Sequence, residues 1–183
     1  MPLTIVRQDI TEMRVDAIVN AANTELRMGG GVCGAIFRAA GADELQAACD
    51  PLAPIRTGEA VVTPGFRLPA KIIIHTAGPV YRGGKHGEEA LLRSCYWNSL
   101  KCAVEHQCGS VAFPLISSGI YGYPKDEALR VAVGAIRDFL REHDLNVYLV
   151  LFDNDAVIAG RRILGEVLGE ELGGVARDVD DMT

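Results

Sequence analysis

The segments Met28-Gly29-Gly30-Gly31-Val32-Cys33-Gly34 and Ile116-Ser117-Ser118-Gly119-Ile120-Tyr121-Gly122 each stand between a strand-like apolar run and a helix-like run. At such junctions backbone N–H groups and a helix N-terminus can cradle an anion, and glycine lets the chain approach it without a Cβ in the way. Two cradles far apart in one chain imply a diphosphate gripped from both sides. This constrains the fold strongly, because both loops must follow strands that end at the same edge of one sheet.

The runs around the loops fit that demand. Leu3–Arg7, Ala17–Asn20, Ala60–Thr63, Lys71–Thr76, Ser110–Leu115 and Asn146–Phe152 read as strands. Ile72-Ile73-Ile74, apolar on both faces, predicts a central strand. Helices are expected from Gly34 through Ala40, over Asp43–Cys49, over Glu88–Gln107, from Pro124, and over Ala156–Leu168. Asp9-Ile10-Thr11-Glu12 reads as a turn. Strands alternating with helices predict an α/β domain, a largely parallel sheet with helices on both faces, and a ligand site beyond the strands' carboxyl ends. The 183 residues suit a single domain, read as 1–172, with 173–183 as a frayed, glycine-rich acidic tail.

Charge and cysteine content narrow the function. With 18 basic and 24 acidic residues the net charge is −6, and no run of Lys and Arg follows a nucleic-acid backbone, so nucleic acid is not expected as a partner. A small anion held by backbone amides remains compatible with that charge. No apolar run approaches the roughly 20 residues of a membrane span, and the N-terminus reads as a strand rather than a signal peptide. The expectation is a soluble, cytoplasmic protein without a membrane partner. Five cysteines without a Cys-x-x-Cys pair, and four histidines without a ligand cluster, argue against a disulfide framework and against a metal site.

Asn20 and Asn23 flank the end of the Ala17–Asn20 strand, and an amide can both donate and accept. Both are candidate ligand residues, bracing being the stronger role for Asn20 and ligand contact for Asn23. Asp9, standing before a turn, is by itself more simply an Asx cap than a ligand residue, and Phe152 is by itself most simply core. Tyr121, between Gly119 and Gly122, has little local packing to satisfy and reads as a stacking residue.

The ordered series Asp9-Ile10-Thr11, Asp16-Ala17-Ile18-Val19-Asn20-Ala21-Ala22-Asn23, Gly29-Gly30-Gly31-Val32, His75-Thr76-Ala77-Gly78-Pro79-Val80 and Ile116 to Pro124 resembles the macrodomain family. Its bacterial branch with O-acetyl-ADP-ribose deacetylases and mono-ADP-ribosyl-protein hydrolases is the most similar. The resemblance implies a three-layer α/β/α fold, ADP-ribose or an ADP-ribose adduct as ligand, including mono-ADP-ribosylated proteins, and hydrolysis without cofactor or metal. It implies Asp9 and Ile10 at the adenine, with Phe152 covering its face and Asp153 or Asn154 at the proximal ribose. Gly30, Gly31 and Val32 would line one side of the diphosphate and distal ribose. Ser117, Ser118, Gly119, Ile120 and Tyr121 would wrap the other.

Cys33 and Phe37 stand where the hydrolytic branch usually carries Asp and His. A thiol does not replace a carboxylate that orients water, so Cys33 reads more simply as a small uncharged filler than as a nucleophile. Catalysis would then rest on a phosphate oxygen of the ligand that polarises the water, with Asn23 and Gly31 fixing the ribose. The candidate catalytic positions are Asn23, Gly31 and Cys33; the alternative is a non-catalytic reader of ADP-ribose.

Overall fold

The structure is a computed structural model and describes residues 2–163. The predicted domain end at 172, the tail 173–183 and the last residues of the 156–168 helix lie outside the described residues. The strands are β1 (Leu3–Arg7), β2 (Ala17–Ala22), β3 (Ala60–Pro64), β4 (Ile72–Ala77), β5 (Ser110–Pro114) and β6 (Asn146–Leu151). The helices are α1 (Gly31–Ala40), α2 (Ala42–Cys49), α3 (Glu88–Glu105), α4 (Lys125–Leu140) and α5 (Asn154–Ile163). The sheet order is β1-β6-β5-β2-β4-β3, parallel at every pairing except β3 against β4.

Side-chain alternation builds two cores from one sheet. Ala17, Val19, Ile74, Val111, Phe113, Val147 and Leu149 face α3, α4 and α5; Ile18, Ala22, Ile73, Ala112 and Val150 face α1 and α2. The triple isoleucine of β4 is thus buried on both sides, as expected of an interior strand. A fully buried Leu or Ile at such a position contributes about 1.5–3 kcal/mol, which makes the register costly to shift.

The start of α1 differs from expectation for a physical reason. Helix α1 begins at Gly31, not Gly34, although two of its first four residues, Gly31 and Gly34, are glycines of low helix propensity. Gly30 supplies the extended N-cap, and the Gly34 N–H reaches its carbonyl at 3.3 Å. A side chain at Gly34 would press into the Gly29 carbonyl. Asp9-Ile10-Thr11-Glu12 forms the expected turn, closed as a short 3-10 turn over Ile10–Glu12 with Asp9 as its cap.

Chain direction places the site. After β2 the chain turns to α1 on one face, and after β5 it turns to α4 on the other, while β2 and β5 lie side by side. Adjacent parallel strands whose connections leave to opposite faces open a crevice at their carboxyl ends.

Candidate functional site

The crevice holds a cavity of about 680 Å³. Both glycine loops line it, Gly29 to Cys33 from one side and Ile116 to Tyr121 from the other. Asp9 and Ile10 after β1, and Phe152 and Asp153 after β6, close one end; Asn23 and Gly78 lie among the lining residues contributed after β2 and β4. Among the described residues the only charged side chains that line the cavity are Asp9 and Asp153, with no Lys or Arg. Positive potential comes instead from the N-terminus of α1. Its cap, Gly30, makes no side-chain bond to the first turn, which leaves first-turn amides free to donate.

The second loop is held from behind. The fully buried Tyr96 of α3 donates its hydroxyl to the Pro114 carbonyl at 3.2 Å and accepts the Ile116 N–H at 3.1 Å. Burial pushes its phenol up from the ordinary tyrosine value. Gly78 completes the seat, since a Cβ there would collide with Ser117 Oγ and stand 2.7 Å from Ile116 Cγ2. Ser117 itself adopts φ 66°, and its hydroxyl, buried beside Gly78, has no hydrogen-bond partner among the described residues. A left-handed non-glycine residue in a loop that lines a cavity is a feature found at ligand sites. The Ser118 hydroxyl is used within the loop, donating to the Leu115 carbonyl at 2.9 Å. Ile120 is 86% exposed, and Gly30 lies so near that a Cβ there would sit 3.7 Å from Ile120 Cδ1. Across the cavity mouth the two loops therefore nearly touch.

Asp9 does both things the sequence left open. Its Oδ1 caps the turn by accepting from the Thr11 N–H at 3.0 Å and the Thr11 hydroxyl at 2.7 Å, while the residue also lines the cavity. Asn23 likewise braces its loop, with Nδ2 donating to the Arg27 carbonyl at 2.8 Å and Oδ1 accepting the Arg27 N–H at 3.1 Å. One N–H of its amide remains for another acceptor. Phe152 is not core: it is 72% exposed at the cavity edge.

Two expected site residues are not in the cavity wall. Asn20 has the parity of Ile18 and points into the core under α1, fully buried. Its Nδ2 donates to His75 Nδ1 at 3.0 Å and approaches Cys33 Sγ at 3.7 Å. Asn154 accepts from Arg7 at 2.7 Å, and its neighbour Asp153 faces the cavity instead, also capping α5 through the Ala156 N–H at 2.7 Å.

The Asn20 contact assigns the His75 proton to Nε2, which donates to the Thr63 hydroxyl at 2.9 Å. Burial without a counter-charge lowers the His75 pKa to about 4. The Cys33 thiol lies between the Asn20 amide and the Arg27 carbonyl, to which it donates at 3.8 Å. No cluster of His, Cys, Asp and Glu suited to a metal occurs among the described residues. None of their helices is long and apolar enough to cross a membrane.

Sequence reasoning missed Tyr96 and Gly78. Tyr96 falls inside the helix expected over Glu88–Gln107, and nothing local marks its hydroxyl as the peg of a distant loop. Gly78 stands within the quoted motif, but its need is set by a collision with residues far along the chain.

A macro domain family model matches residues 19–132, more than half of the chain. A macro domain-containing protein of Chlorobaculum tepidum is 57% identical over 137 residues, covering 75% of this chain and 79% of the relative. The O-acetyl-ADP-ribose deacetylase of Salmonella typhimurium is 46% identical over 168 residues, covering 88% of this chain and 93% of that protein. Among solved structures, the Oceanobacillus iheyensis macrodomain with ADP superposes with a TM-score of 0.84 at 39% identity, covering 90% of each chain. The Trypanosoma brucei macrodomain in complex with ADP-ribose gives a TM-score of 0.80 at 38% identity, covering 89% of this chain and 69% of that one.

Proposed function

This chain belongs to the macrodomain family, and from that membership we propose that it binds ADP-ribose and hydrolyses its adducts, O-acetyl-ADP-ribose or mono-ADP-ribosylated protein, releasing ADP-ribose. The observation that carries the reading is one cavity with the uncapped first turn of α1 on one wall and the second glycine loop, braced by Tyr96, on the other. Backbone amides there suit phosphate oxygens, and no cationic side chain of the described residues competes for that role.

In this reading adenine lies between Ile10 and the exposed Phe152 ring, with Asp9 accepting from the exocyclic amine. The diphosphate sits between Gly30 to Val32 and Ser117 to Ile120. Asn23 and Tyr121 hold the distal ribose, and Ile120 closes over the mouth. Water hydrogen-bonded to a phosphate oxygen attacks the ester or anomeric carbon; the new C–O bond forms as the bond to the leaving group breaks. The water's proton passes to that leaving group. The enzyme's share is alignment in a closed site, which can lower a barrier by roughly 7–11 kcal/mol when complete.

A second reading, recognition without turnover, is favoured by one observation: the first turn of α1 brings to the cavity Cys33, a thiol already engaged with Asn20 and Arg27, not a carboxylate. Calorimetry with ADP-ribose and AMP, followed by assay of ADP-ribose release from O-acetyl-ADP-ribose and from proteins modified on carboxylate, arginine or serine, separates the two. Tight ADP-ribose binding, much weaker AMP binding and measurable release support the enzyme. Tight binding with no release from any linkage selects the reader, and equal affinity for AMP and ADP-ribose rejects the two-cradle site.

A further inference from the structure

The loop from Pro79 to Gly87, between β4 and α3, lies on the surface yet is rigidly built. The buried Glu88 carboxylate accepts the backbone N–H groups of Arg82 at 2.9 Å, Gly84 at 2.8 Å and His86 at 2.6 Å. Led by Arg82, these amides hold its carboxyl down to about 2 against the opposing effect of burial. Gly83, Gly84 and Gly87 take φ of 88°, 81° and 78°, conformations that glycine alone reaches without penalty. The loop is also tied to the cavity wall. The Tyr81 N–H donates to the Tyr121 carbonyl at 2.9 Å, and the Tyr81 and Tyr123 rings pack with centroids 4.9 Å apart. An ordered loop is thereby fixed beside Tyr121.

What the loop shows to solvent is specific. Val80 is 46% exposed, and Arg82, Lys85 and His86 are exposed as well. Neither Arg82 nor Lys85 forms an ion pair among the described residues. The ordered backbone thus presents two exposed cationic side chains beside the cavity, on a chain of net charge −6. Rigid loops beside a site commonly carry recognition.

We propose that this loop docks the polypeptide that carries the ADP-ribose, placing acidic side chains that flank the modified residue against Arg82 and Lys85 and an apolar one against Val80. The proposal rests on the ADP-ribose reading above, and adds to it a sequence preference in the protein substrate. An acidic peptide fits better than a nucleic acid, because an extended polyanion would meet the repulsion of the whole acidic molecule, whereas a peptide reaches only the loop.

The test uses the full chain and peptides bearing a hydrolysis-resistant ADP-ribose linkage, flanked by Glu and Asp or by Ser and Gly. Two exposed ion pairs predict that the native protein prefers the acidic flanks by roughly threefold to tenfold, a preference that shrinks with added salt. The triple variant Val80→Ser, Arg82→Ser, Lys85→Ser should lose that preference and keep its affinity for free ADP-ribose; Arg82→Gln alone should lose part of it. No preference in the native protein, or its survival in the triple variant, would overturn the docking role. So would an equal loss of affinity for free ADP-ribose, or an equal loss for an ADP-ribosylated oligonucleotide. If free ADP-ribose itself does not bind, the underlying reading and this one both fall, an outcome distinct from loss of flank preference alone.

Discussion

Cys33 shows how much one side chain decides here. Its sulfur accepts from the Asn20 amide and its proton points to the Arg27 carbonyl, so the thiol is a link between loop and core, not a free nucleophile. Cys33→Ala should therefore keep turnover within roughly a factor of three, because the groups that fix the ligand lie elsewhere. Cys33→Asp should raise turnover, though less than the 10²–10⁴-fold typical of a general base, because the new carboxylate would face the Arg27 carbonyl. Assay of ADP-ribose release checks both, and a covalent adduct trapped on the native sulfur would refute the filler role. Gly31 is the complementary case: a Cβ there meets nothing within 4 Å, and its φ is 57°. Gly31→Glu should cost the fold only about 1–2 kcal/mol of backbone strain. The same change should abolish ADP-ribose binding in calorimetry, since it drives an unpaired charge into the diphosphate space. Normal folding with retained binding would move the ligand elsewhere.

At the level of elements, the strands were legible because their apolar runs are short and sharply bounded. β1 occupies the predicted residues, and β2 and β4 differ only at their ends. Helix α1 was read three residues late because glycine disfavours helix and its early start is stabilised by the fold, not by propensity. The glycine loops were legible as a ligand site for the same reason that they were poor as regular structure. Asn20 was harder to place: its type marks a site residue, but strand parity turns it inward, and one residue of extra strand separates the two outcomes. Tyr96 was invisible because its work is done across the fold. Tyr96→Phe leaves the Ile116 N–H and the Pro114 carbonyl without their buried partner, which should cost about 1–3 kcal/mol of stability. The loosened second loop should bind ADP-ribose more weakly, while Tyr148→Phe, on a half-buried strand residue away from that loop, should not. Denaturant melts with paired calorimetry read both effects.

The whole molecule carries a pH signature from its buried histidine. The folded-state pKa of His75 is lowered to about 4 from 6.5 by burial, so the unfolded chain takes up a proton in that interval that the native state refuses. Stability should be level above pH 6.5 and fall as the pH drops toward 4, by at most about 1.4 kcal/mol per pH unit. His75→Gln should lower stability at neutral pH yet flatten that slope, and an unchanged slope would show that other groups dominate. The cavity's lack of Lys and Arg has its own consequence at this scale. Most proteins that hold phosphates with cationic side chains lose affinity as ionic strength rises, because salt screens the attraction. Here a dianion must approach a molecule of net charge −6 and enter a cavity whose only charged lining side chains among the described residues are carboxylates, drawn by short-range backbone dipoles. Added salt screens the long-range repulsion and leaves those dipoles almost untouched. Association with free ADP-ribose should therefore quicken in moderate salt, the opposite response to that of an acidic peptide at Arg82 and Lys85.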